Sequence, residues 1–216
     1  MKPSAVALLS GGMDSTCALL KYLHDGGVVR HALTMAYGQL AQEKEIAAAA
    51  AICDHLGIPH ETVELPFLAR LSNSSLNRGT IPENIDINDT RQSEQSARSV
   101  WVPNRNGLFI NIAAVFAESM GCQHIITGFN VEEAQTFPDN SRDFLMAANG
   151  ALHFSTLDTL FVVSGTIDMD KKEIAGYLMR NAFPMELIWS CYKGEEVPCG
   201  TCESCLRMKR AIEEAQ

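Results

Sequence analysis

No run of about 18 apolar residues, the length a membrane-crossing helix needs, occurs in the 216 residues of this chain, so a membrane span is not expected. Basic residues are scarce: 17 lysines and arginines stand against 26 acidic residues, a formal net charge of −9. That balance argues against broad electrostatic capture of nucleic acid. Internal repeats and low-complexity tracts are missing, which excludes a solenoid or a disordered array. Met1-Lys2-Pro3 leads almost directly into an apolar run, leaving no room for a signal peptide. Seven cysteines without a secretion signal point to a reducing compartment, the cytoplasm, and to buried or metal-bound thiols rather than a disulfide framework. A composition of 46% apolar and 20% charged residues is that of a soluble globular protein, and the length suits one α/β domain with a small appendage.

What is present alternates between strand and helix. Ala5–Leu9 reads as a buried strand and Thr16–His24 as a helix ended by Gly26-Gly27. Val28–Met35 is a second strand, Gln39–Leu56 a long helix closed by Gly57, and His60–Leu65 a third strand. This βαβαβ opening predicts an open parallel sheet with helices on both faces, and ligands at the carboxyl ends of its strands. Residues 66–98 show little periodicity and read as a long loop with helical turns, either a lid, a partner-facing segment or a tolerated insertion. Order returns with a helix over Leu108–Met120, a strand over His124–Thr127, a helix over Arg142–Phe154, a strand over Leu160–Ser164 and a helix over Lys171–Arg180. Residues 1–188 are thus expected to form the α/β domain. Residues 189–216 form a separate segment rich in Cys, Gly and Pro.

Two motifs carry chemistry. After Leu9, the run Ser10-Gly11-Gly12-Met13-Asp14-Ser15 breaks a strand and opens a helix. Backbone N–H groups and a helix dipole then converge on one point, as phosphate binding requires. The run lacks the lysine of Gly-x-x-x-x-Gly-Lys-Ser/Thr, so it is not the loop of GTPases. Its six residues resemble the Ser-Gly-Gly-x-Asp-Ser signature of the PP-loop ATP pyrophosphatases, which implies cleavage of ATP between the α and β phosphates.

The second motif is Cys191, Cys199, Cys202 and Cys205, spaced C-x7-C-x2-C-x2-C. Four thiolates satisfy tetrahedral Zn²⁺ with no open position, so the site reads as structural, clamping a terminal helix over Glu203–Glu214 to the domain. An iron–sulfur cluster takes the same ligands. Cys17, Cys53 and Cys122 read as small buried hydrophobes.

Together with Tyr37-Gly38-Gln39, Ser74-Ser75-Leu76, Val102-Pro103-x-Arg105-Asn106, Gly128 and Pro138-Asp139, these motifs make nearly the whole chain resemble the 7-cyano-7-deazaguanine synthase (QueC) family of PP-loop enzymes. The resemblance implies conversion of 7-carboxy-7-deazaguanine, ammonia and ATP to the nitrile preQ0, a precursor of queuosine and archaeosine. It also implies a homodimer with one zinc per subunit. Two departures stand out. Ala36 precedes Tyr37 where the family often has Asp, and Glu133–Asn140 replaces a frequent Asp-Tyr-Ser-Gly-Tyr-Pro-Asp-Cys, so no thiol is available at Asn140.

On this reading the Leu9–Ser15 loop binds ATP, with Gly11, Gly12 and Met13 supplying backbone N–H groups and Ser10 and Ser15 adding hydroxyls. Asp14 serves as an N-cap or a ligand in the Mg²⁺ shell, since a carboxylate nucleophile needs no general base. Tyr37 and Gly128 are expected at the substrate. Arg105 and Asn106, just before a helix, donate to a carboxylate or phosphate, or else form a surface ion pair. Glu132 and Glu133 meet the guanidine-like edge of the base or are solvated helix-start charges. Asp139 is a base contact or a cap. His124 and His153 read as packed side chains, and Arg207, Lys209 and Arg210 as the cationic end of a helix. Three rivals stay open: a related carboxylate substrate, a tRNA-modifying PP-loop enzyme, and a zinc-stapled nucleotide-binding module without turnover.

Overall fold

The computed structural model describes residues 2–216. β1 (Ser4–Leu8) leads to α1 (Met13–His24), β2 (Val28–Ala36), α2 (Gln42–Leu56) and β3 (His60–Glu64). Then follow α3 (Pro66–Leu71), α4 (Thr90–Val100), α5 (Arg105–Ser119), β4 (His124–Ile126), the short α6 (Val131–Ala134) and α7 (Arg142–Ser155). β5 (Phe161–Val163), α8 (Lys171–Arg180) and α9 (Glu203–Ala215) complete the chain.

The five strands form one parallel sheet in the order β3-β2-β1-β4-β5. Alternation along each strand sends neighbours to opposite faces. Val6, Leu33 and Ile125 join one buried cluster with Ile110, Ala113 and Leu152 of α5 and α7. Ala5, Ala32 and Ile126 join the other, with Leu19, Ile52 and Leu178 of α1, α2 and α8. Helices therefore cover both faces, which is the expected doubly wound α/β architecture. Cys17, Cys53 and Cys122 are all buried in these clusters.

Three expectations need correction. The helix expected from Thr16 begins three residues earlier, at Met13, with Gly12 as its N-cap. Asp14 is therefore an internal first-turn residue rather than a cap. The helix expected from Leu108 begins at Arg105, so Arg105 and Asn106 lie in its first turn. Residues 66–98 contain α3 and most of α4. The buried face of α4 is Ser93, Ser96, Ala97 and Val100, a helical i, i+3, i+4, i+7 spacing. Two of its four positions are serine, so an apolar pattern barely registers. Asp89 caps α4 by accepting from the N–H groups of Arg91 (2.9 Å) and Gln92 (3.3 Å).

Candidate active site

β1, β2 and β3 progress toward one edge of the sheet and β4 and β5 toward the other. The carboxyl ends of β1 and β4 therefore flank the crevice where an open parallel sheet binds ligands. A cavity of about 270 Å³ lies there. Leu9, Ser10, Gly12, Met13, Asp14 and Ser15 form one wall, with Tyr37, Arg105, Asn106 and Phe109 opposite.

The loop holds its own shape through short polar contacts. The Ser10 and Ser15 hydroxyls are 3.1 Å apart, Gly12 N–H donates to Ser10 Oγ at 3.3 Å, and the Thr16 hydroxyl donates to the Gly12 carbonyl at 2.7 Å. Gly11 does not line the cavity. It turns away at φ +76°, and a Cβ there would lie 2.7 Å from the Ala48 Cβ and 2.9 Å from the Glu45 carbonyl oxygen of α2. Its carbonyl accepts from Trp189 N–H at 2.9 Å. Gly128 permits the second close approach: a Cβ there would stand 2.6 Å from the Ser15 nitrogen. The end of β4 is thereby pressed against the first turn of α1.

A buried charge cluster completes this wall. Lys171, the first residue of α8, lies 2.5 Å from Asp14 Oδ2 and 2.7 Å from Glu133 Oε1. Burial pushes the Asp14 carboxyl up despite Lys171. Burial raises Glu133 as well, but there the Lys171 ammonium prevails and holds the carboxyl below the usual range. The other oxygen of Asp14, Oδ1, is buried without a hydrogen-bond partner. No local motif marks Lys171 in the sequence. Its available signal was a charged residue opening a helix just after a strand, at the sheet end where ligands bind.

Glu132 and Glu133, adjacent in sequence, part company. Glu133 lines the cavity. Glu132 is 2.6 Å from Arg207 and 2.5 Å from Arg210, so its charge is satisfied by α9. These two arginines are not merely the cationic end of a helix, as expected. They tie the C-terminal helix to α6, and Arg207 also reaches the cavity. Asp139 presents its backbone carbonyl, not its carboxylate, to Asn106 Nδ2 at 3.2 Å. Phe137 and Asn140 of the same variant stretch line the cavity, and Phe137 stacks on Trp101 at 9° between ring planes. Tyr37 accepts from Arg105 at 3.2 Å. Trp189 and Tyr192, whose place at the site no local pattern records, also line the cavity.

The sulfur atoms of Cys191, Cys199, Cys202 and Cys205 lie within 4.8 Å of one another, with Cys191–Cys199 at 3.6 Å and Cys199–Cys205 at 4.0 Å. A tetrahedral metal with bonds to sulfur of ~2.3 Å requires sulfurs roughly 3.8 Å apart, so the donor set fits a four-thiolate ion. Backbone N–H groups of Lys193 and Cys199 donate to Cys191 Sγ at 3.4 Å. The segment is fastened on both sides. Trp189 Nε1 donates to the Cys191 carbonyl at 2.9 Å, and Glu83, between α3 and α4, binds Lys193 (2.5 Å) and the Thr201 hydroxyl (2.7 Å). His124 bonds Tyr22 at 2.9 Å and has its pKa lowered by burial. His153, expected to be packed, is instead exposed on α7, edge-on to the likewise exposed Phe154.

Residues 4–216 match the family model described as "Queuosine biosynthesis protein QueC". The 7-cyano-7-deazaguanine synthase of Carboxydothermus hydrogenoformans is 51% identical over 209 residues, covering 96% of this chain and 97% of its own. That of Methanosarcina barkeri is 41% identical over 218 residues, covering 98% and 94%. Among solved structures, the U34-tRNA thiolase NcsA of Methanococcus maripaludis, solved with its [4Fe-4S] cluster, superposes with a TM-score of 0.54 at 15% identity. The match covers 98% of this chain and 65% of that one. This likeness shows the shared fold. Among the described residues, no helix is long and apolar enough to cross a membrane.

Proposed function

The chain belongs to the QueC family of queuosine biosynthesis proteins and is an enzyme of that family, and from that premise we propose that it converts 7-carboxy-7-deazaguanine and ammonia to 7-cyano-7-deazaguanine at the expense of ATP. The observation that carries this reading is one cavity that joins the Ser10–Ser15 loop to the cationic Lys171 and Arg105. A carboxylate is a poor electrophile until its oxygen becomes a good leaving group. The substrate carboxylate attacks the α-phosphorus of ATP, forming an acyl-adenylate and releasing pyrophosphate. Ammonia displaces AMP to give the amide. A second adenylation, on the amide oxygen, followed by loss of AMP and protons, gives the nitrile.

The residues divide this work. Gly12 and the first turn of α1 face the departing pyrophosphate with backbone N–H groups, while Ser10 and Ser15 add hydroxyls. Lys171 neutralises charge that builds on the phosphates. Asp14, with its unpartnered oxygen, is the residue suited to the Mg²⁺ that accompanies ATP. Arg105 and Asn106 orient the substrate carboxylate, and Tyr37 supports Arg105. Glu133, with the aromatic rings of Phe137 and Tyr192, faces the base. Cys191, Cys199, Cys202 and Cys205 hold a structural Zn²⁺ that steadies the segment carrying Trp189 and Tyr192.

We read the protein as a cytoplasmic homodimer acting on small molecules. Support for the dimer comes from α7, edge strand β5 and the connection between them, which expose Met146, Phe161, Phe154 and Leu157. The decisive experiment incubates the protein with 7-carboxy-7-deazaguanine, ATP and ammonium and identifies the products by mass spectrometry. Nitrile formation is expected. ATP binding without ammonium-dependent turnover would leave only the nucleotide-binding module.

A further inference from the structure

We propose that Glu45 receives the ammonium ion that supplies the new nitrogen, and takes a proton from it before the nitrogen attacks. The proposal rests on the amidation reading above. Three carboxylates line the cavity: Asp14, Glu133 and Glu45. Asp14 and Glu133 are both engaged by Lys171. Among the described residues, no cationic nitrogen lies within 4.0 Å of the Glu45 carboxylate. An acid with no ion-pair contact, in a cavity whose other two acids share Lys171, marks a place for a cation to enter.

The carboxylate is aimed, not loose. Gln39 Nε2 donates to Glu45 Oε2 at 2.8 Å and to the Met35 carbonyl at 3.1 Å, while its Oε1 accepts from Tyr37 N–H at 2.9 Å. Every part of the Gln39 amide is used, so its orientation is fixed and it holds one Glu45 oxygen. Among the described residues, no hydrogen bond engages Oε1, which is left for a ligand. Glu45 also stands beside the phosphate-gripping loop, since α2 touches Gly11 at the Glu45 carbonyl. The groups facing the carboxylate are Gln39, Arg105 from α5 and the Tyr37 phenol. Burial raises the Glu45 pKa to about 7, against the Gln39 hydrogen bond and the Arg105 charge. A carboxylate so raised is a far better proton acceptor at neutral pH than an exposed one.

The step balances. One proton passes from NH₄⁺ to the Glu45 carboxylate. The freed lone pair forms the C–N bond at the acyl carbon, and the carbon–oxygen bond to the adenylate breaks with its electron pair leaving on AMP. The new nitrogen then sheds a second proton to the departing phosphate. No oxidant or reductant is involved.

Two measurements test this. For the wild-type enzyme, kcat/KM on total ammonium should rise with pH and level off above about pH 7. A continued tenfold rise per pH unit until ammonium itself titrates would mean that free ammonia is captured from solution, and the proposal fails. For Glu45→Gln, kcat/KM for ammonium should fall at least ~100-fold, while carboxylate-dependent exchange of pyrophosphate into ATP, which needs no ammonium, persists. Hydroxylamine, a neutral nucleophile at that pH, should restore trapping of the acyl-adenylate. Wild-type ammonium dependence in Glu45→Gln, or a parallel loss of exchange, overturns the proposal. If the variant does not fold, the wild-type pH profile decides. Absence of exchange in the wild type would instead count against the amidation reading itself.

Discussion

Lys171 Nζ lies 2.5 Å from Asp14 Oδ2, although the two residues are 157 positions apart. The contact joins the first turn of α8 to the first turn of α1 beneath the phosphate-binding loop, and the same ammonium also holds Glu133 at 2.7 Å. Removing it leaves two buried carboxylates without their shared ion-pair partner. Lys171→Met is expected to cost about 3–5 kcal/mol of stability, measured by urea denaturation near neutral pH, and to abolish ATP–pyrophosphate exchange. Asp14→Asn should cost less, because Lys171 keeps Glu133. Equal losses in the two variants would show that the cluster does not work as a shared pair.

Glu45 gives stability a pH dependence of unusual sign for a carboxylate. Its folded pKa is raised from 4.5 to about 7, so the native state binds more protons than the unfolded chain between those values. Its contribution is full below about pH 4.5 and is lost as pH rises through about 7. Glu45→Gln should therefore be more stable than wild type above pH 7, by up to about 3 kcal/mol, with the gain vanishing near pH 4.5. Chemical denaturation of both proteins across this range reads the difference directly.

Gly128→Ala places a Cβ 2.6 Å from the Ser15 nitrogen and 2.8 Å from the Asp14 carbonyl carbon. Both are backbone atoms that no rotamer change can move. A loss of ~1–3 kcal/mol is expected, with a disproportionate fall in kcat because the loop is displaced. Gly150→Ala, in α7, meets nothing within 4 Å and should stabilise by about 0.5–1 kcal/mol. Comparing the two thermal midpoints and the two exchange rates separates crowding at the site from a general glycine effect.

The four-cysteine site predicts one tightly bound metal per chain. Elemental analysis should find zinc, and the purified protein should be colourless; visible charge-transfer bands with matching iron would reassign the site to a cluster. Cys199→Ser, or prolonged chelation, should loosen Lys193 and Thr201, the partners of Glu83. Hydrogen exchange should then rise in residues 80–84 and in the first turn of α9.

The Ser10–Ser15 loop predicts AMP and pyrophosphate as the nucleotide products. Chromatography of a single-turnover reaction settles this, and ADP as the only product would exclude α-phosphate chemistry.

Much of this protein follows from local sequence. Strand and helix periodicity from Ala5 to Leu65 determines a parallel sheet, because each apolar period has one way to bury itself. The loop and the four cysteines are legible because each motif is short, and its chemistry depends on residues close in the chain. α4 stayed hidden since its buried face is half serine, which packs by size and hydrogen bonding rather than apolarity. Only the tertiary structure separated Glu132 from Glu133, two neighbours with the same chemistry: one faces Arg207 and Arg210, the other faces Lys171. It alone brought Lys171 to Asp14 and left Glu45 without an ion-pair contact. Charge in a buried cavity is set by partners from distant elements, and no local pattern records which of them meet.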